Sequence, residues 1–151
     1  MKIRKSQWNT LKELCDDYVD CLLKIEKFVQ NYSEKDIPPA MIEFTQGGFK
    51  AYINSFYELT KNYLAFCNME FNISIKSKDF IEYIEQCEQN GLLPIDGAAF
   101  CNALRLLRNE HAHGYERPTF EEVLEFYKEN NQMFLSIVNI SKNKLKEIST
   151  D

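Results

Sequence analysis

Glycine and proline are scarce in this chain, five and four among 151 residues. So few turn-formers argue against a turn-rich sandwich or barrel and against long flexible linkers. No stretch approaches the ~18 consecutive apolar residues of a membrane span. The opening MKIRKSQWNTLKEL lacks the continuous apolar core of a secretory signal. These absences predict a cytoplasmic protein with no membrane contact. Cysteines number five, an odd count with no CxxC pair, which argues against a disulfide framework or a zinc ribbon and predicts reduced, mostly buried thiols. Basic residues are outnumbered 23 to 18, for a net charge of −5. A protein that coats nucleic acid through charge alone is usually basic, so that class loses ground and no DNA partner is expected.

What is present reads as helix. A chain of 151 residues is long enough for one domain, expected over 1–151, that buries roughly 70% of its unfolded surface without a covalent staple. Trp8, Leu11, Cys15, Tyr18, Leu22, Ile25 and Val29 follow a 3,4 spacing, a heptad seam that serves a core or a dimer. The helix must stop before Pro38-Pro39. A second helix is predicted from about Ala40 to Asn68, with Phe44, Phe49, Phe56 and Phe66 as core aromatics; Gly47-Gly48 inside it marks a kink or a close helix approach. Met69 to Lys76 reads as a connection with a short extended piece. Ser77 reads as an N-cap with Asp79 in the first turn of a short helix that closes at Asn90-Gly91. A fourth helix begins near Asp96 and runs toward Pro118. Thr119 and Glu122 form a capping box for the last helix, whose Lys142–Lys146 end suits a helix C-terminus. The expected fold is all-α: an antiparallel up-and-down bundle of four long helices plus a short one.

The uneven placement of arginine and histidine points to chemistry. The chain has only Arg4, Arg105, Arg108, Arg117, His111 and His113, and five of these six lie between positions 105 and 117. Metal-free cleavage of a phosphodiester needs a proton shuttle near neutral pH, which histidine supplies. It also needs fixed positive charge on the phosphoryl oxygens, which arginine supplies. Arg108 and His113 together meet both needs. On a regular helix they would sit about 140° apart, so the long Arg108 must reach around or a second copy must place its own pair opposite. Asn109 and His113 would be i,i+4 neighbours, close enough for the amide to fix the imidazole tautomer. His111 and His113, about 200° apart on a helix, cannot chelate one ion. No metal site and no cofactor are expected.

Arg108-Asn109-Glu110-His111-Ala112-His113 resembles the R-x4-6-H motif of HEPN domains, small helical bundles of which many are metal-independent endoribonucleases. With Tyr115 the match becomes R-x4-H-x-Y, the form seen in HepT-type toxins. A shuffled chain of this composition gives that pattern roughly 3 times in a thousand, so the motif weighs more than a bare Arg–His pair. The resemblance implies that Arg108 stabilises phosphate charge, His113 acts as general acid and base, and Asn109 supports them. It implies that Tyr115 is adenylylated by a small nucleotidyltransferase antitoxin and that the toxin acts as a homodimer on RNA. Arg105 and His111 form a second register, R-x5-H, which leaves the working pair open; Tyr115 is otherwise a packing residue. The expected function is a toxin-like endoribonuclease of a toxin–antitoxin or defence system, cutting by 2′-OH attack. The alternative is a non-catalytic HEPN partner that holds substrate for a nucleotidyltransferase.

Overall fold

The computed structural model describes residues 2–70, 79–109 and 117–150. The heptad seam folds as α1 (Lys5–Asn31) and buries Leu11, Cys15, Tyr18, Leu22 and Ile25, with Trp8 and Val29 half-buried at its ends. Two short 3-10 turns, Glu34–Asp36 and Pro39–Met41, bridge the proline pair. Helix α2 (Ile42–Glu70) then runs unbroken. Helices α3 (Phe80–Gln89), α4 (Ile95–Asn109) and α5 (Phe120–Glu147) complete the set. Two-residue strands, β1 (Lys2–Ile3) and β2 (Ser149–Thr150), pair in parallel where the chain ends meet.

Side-chain pairs fix the directions. The Cys15 thiol donates to the Ser141 carbonyl while Phe28 meets Phe120, so α1 and α5 run antiparallel. Tyr18 hydrogen-bonds Thr60 and Phe28 stacks on Phe49, so α1 and α2 are antiparallel too. Phe100 meets both Phe126 and Phe134 across the α4–α5 seam. Leu104 and Leu107 share a cleft with Val123, so α4 and α5 are antiparallel, and the four long helices alternate in sense as expected for an up-and-down bundle. The short α3 begins beside Tyr57, in the middle of α2, and ends beside Leu64. The buried Asn68 amide ties the two, donating to the carbonyls of Leu64 and Tyr83. One hydrophobic cluster draws on all five helices.

Local details differ from the sequence reading in three places. The N-cap of α3 is Asp79, whose carboxylate accepts from the Ile81 N–H at 3.2 Å. It stands outside the first turn and takes the role assigned to Ser77, because aspartate caps as well as serine does. Ser77 and the connection before it lie outside the described residues. Phe44 is 77% exposed rather than core, since it precedes the turn of α2 that reaches the bundle interior at Phe49. Gly47 and Gly48 do not serve a close helix approach among the described residues: a Cβ built on either meets nothing there within 4 Å.

Where the signals are strongest, the agreement is close. Gly91 (φ +72°) closes α3 in a Schellman motif, with Leu92 N–H on the Cys87 carbonyl and Gly91 N–H on that of Glu88. The Thr119–Glu122 capping box forms at the start of α5, with bonds of 3.2 and 3.3 Å. Thr119→Ala removes one half of that box and should cost about 1 kcal/mol, read as a lower midpoint in urea unfolding with an unchanged slope. All five cysteines are free and buried. Burial pushes the Cys21 thiol up to about 11 and Cys101 up to about 12. Because all five thiols are buried, a thiol-disulfide reagent at pH 8 should label the native chain slowly and all five positions rapidly in denaturant. No helix among the described residues is long and apolar enough to cross a membrane.

Candidate functional site

The last turns of α4 carry both arginines of the sequence motif. Phe100, Leu104 and Leu107 turn inward, Leu104 fully buried and Leu107 half-buried, and this sets the rotation of the helix. Arg105 and Arg108, one position beyond Leu104 and Leu107, come out at the edge of the core. Neither is fully exposed. Arg108 in the last turn also complements the negative end of the helix dipole.

The Arg108 guanidinium sits on Tyr57 of α2, and Arg105 adds positive potential there. The Arg108 guanidinium carbon lies 5.8 Å from the Tyr57 ring centroid, within cation–π range. The ring itself is held edge-on by Phe80 at 5.2 Å. Burial raises the Tyr57 hydroxyl pKa, and the positive charges of Arg108 and then Arg105 offset part of that rise. Tyr57 thus stays a neutral phenol that seats Arg108 without competing for its charge. The Nε atoms of Arg105 and Arg108 are buried, and that of Arg105 has no hydrogen-bond partner among the described residues.

Arg108 borders a cleft of ≈ 440 Å³. One wall is the α2 face of Gly47, Lys50, Asn54 and Tyr57, and the opposite wall is Leu104, Leu107 and Arg108 of α4. Arg117, Pro118 and Val123, at the approach to α5, close the third side. Lys50, Arg108 and Arg117 bring three positive charges, and no Asp or Glu stands among the described residues that line the cleft; Glu110 and Glu116, near Arg108 and Arg117 in sequence, lie outside the described residues. In a chain of net charge −5 that is a local reversal of sign. Lys50 and Arg117 form no ion pair among the described residues.

The candidates from the sequence divide unevenly. Arg108 is in the cleft wall. Arg105 is near Tyr57 but does not line the cleft. Asn109 is the final residue of α4, one position beyond Arg108. His111, His113 and Tyr115 lie outside the described residues, so the Arg105/His111 register, the Asn109–His113 pairing and the modification site do too. Among the described residues, no group of three or more His, Cys, Asp or Glu side chains is placed to hold a metal. The α2 contribution, Lys50, Asn54 and Tyr57, escaped the sequence reading. Its signal was there: positions 47, 50, 51, 54 and 57 follow helical spacing and carry no acidic residue. Compared with protein-family models, curated proteins and solved structures, the chain shows no significant match.

Proposed function

We propose that the chain is a metal-independent endoribonuclease, a toxin-like component of a toxin–antitoxin or defence system. The observation that carries the reading is the cation-lined cleft at the end of α4, with Arg108 in its wall and no carboxylate among the described residues that line it. In this reading the ribose 2′-OH attacks the adjacent phosphorus while His113 takes its proton. The P–O5′ bond breaks, the 5′-oxygen leaves with a proton returned to it, and the strand ends in a 2′,3′-cyclic phosphate. Arg108 stabilises the charge that grows on the equatorial oxygens in the transition state. Tyr57 holds Arg108 in place through its ring face, and Asn109 supports His113. A homodimer would set two such clefts side by side, and a nucleotidyltransferase antitoxin acting on Tyr115 would silence them.

The same cleft suits a second reading, a non-catalytic partner that holds a nucleotide for a nucleotidyltransferase. Cleavage of total RNA in EDTA separates the two. The ribonuclease reading expects cleavage by the wild type and none by His113→Ala. Nucleotide binding with no cleavage by folded, unmodified protein would favour the partner role.

A further inference from the structure

The cleft has two kinds of lining. Lys50, Arg108 and Arg117 supply the first, positive charge; Ile53, Leu104 and Val123 supply the second, apolar surface; and Asn54 offers an amide with both donors and an acceptor. A bare phosphate would use the first and leave the second idle. Its volume, ≈ 440 Å³, is within the range of small-ligand pockets. Gly47 lines it as well, and a Cβ there would enter open space. Gly47 and Gly48 each weaken α2 relative to alanine, yet neither glycine is needed for packing within the described chain. Only Gly47 faces the cleft.

We propose that this cleft is a subsite for one nucleotide unit of single-stranded RNA. Lys50 and Arg117 hold a phosphate flanking the one at Arg108, Asn54 meets the base edge, and Gly47 leaves room for the sugar or base. The inference rests on the ribonuclease reading for the origin of the nucleotide in a strand. It assigns α2, which carries none of the sequence motif, the work of binding and of base preference. A base-edge contact by one amide distinguishes among bases, so cleavage should favour particular nucleotides at the position it reads.

The test is titration calorimetry on the full chain. The probes are a 2′-O-methyl tetranucleotide, which lacks the attacking hydroxyl, the nucleoside 3′-monophosphates, and inorganic phosphate. The expected order of affinity is tetranucleotide, then mononucleotide, then phosphate. Lys50→Ala and Arg117→Ala should each weaken the tetranucleotide about tenfold and reduce the salt dependence of binding by somewhat under one phosphate-equivalent. Gly47→Ala should raise Tm by about 3 °C and still weaken binding several-fold. Gly48→Ala should raise Tm alike and leave binding unchanged. A gain in stability with a loss of affinity, at one glycine of the pair only, cannot come from misfolding. Phosphate binding as well as the tetranucleotide, a mononucleotide outbinding it, or affinity unmoved by Lys50→Ala, Arg117→Ala and Gly47→Ala would each overturn the proposal. Failure of the ribonuclease reading would show separately, as absent cleavage by a wild type that binds the tetranucleotide.

Discussion

Arg108→Ala is expected to lower metal-free RNA cleavage by about 100-fold or more, the usual consequence of removing one charge-stabilising donor from a transition state. The substitution also removes the cation–π pair with Tyr57 at 5.8 Å, itself of the order of 1 kcal/mol. Arg108→Lys keeps the charge but gives up the planar fork that holds two phosphoryl oxygens together, so it should recover only part of the rate. Arg105→Ala is the control for register. Arg105 contributes positive potential near Tyr57 but does not line the cleft, and its loss should leave most of the cleavage in place. Initial rates on a labelled RNA, alongside thermal unfolding of each variant, make the comparison. Wild-type cleavage by a folded Arg108→Ala chain would remove Arg108 from the mechanism.

The largest loss of stability is expected at Phe134. Its ring is 0% exposed and meets Phe56 at 4.6 Å, Tyr127 at 5.0 Å, Phe100 at 5.1 Å and Phe126 at 6.1 Å. It therefore joins α2, α4 and α5 at one point of the core. Phe134→Ala removes the ring and leaves a cavity among side chains that are themselves packed, at a cost of about 3–5 kcal/mol. For a chain of this length that is a Tm lower by roughly 10–15 °C. The neighbour in sequence provides the contrast: Leu135 is 47% exposed, and Leu135→Ala should change stability by under about 0.5 kcal/mol. Differential scanning calorimetry of the two variants checks both figures. A Phe134→Ala chain as stable as Leu135→Ala would mean that the ring cluster is not the keystone of the core.

The bundle was legible because its strongest signals are local. A seam of seven apolar residues from Trp8 to Val29 has one helical solution, and Pro38-Pro39 and Gly91 punctuate the chain by backbone chemistry alone. The Thr119 capping box could be read for the same reason. Caps chosen among near-equals were harder: Ser77 and Asp79 are equally good by type, and only the geometry of Ile81 N–H decides. Phe44 shows the limit of reading burial from residue type, because an aromatic one turn before the packed face still lies in solvent. The candidate site was half legible. Arg108 stood out because arginine is rare here. Lys50 and Asn54 did not, because exposed polar residues on an amphipathic helix read as a solvated face until the opposite wall of the cleft is known. Gly47-Gly48 gave a warning that packing does not explain, since a Cβ on either meets nothing within 4 Å among the described residues.

The most direct measurement of the central claim is the chemical identity of the ends produced from RNA in EDTA. Wild type, Arg108→Ala and His113→Ala are compared after each is shown to be folded. The wild type should leave 2′,3′-cyclic phosphate and 5′-hydroxyl ends, and the two variants neither. Equal cleavage by all three, ends of another kind, or no cleavage by unmodified wild type would contradict the claim.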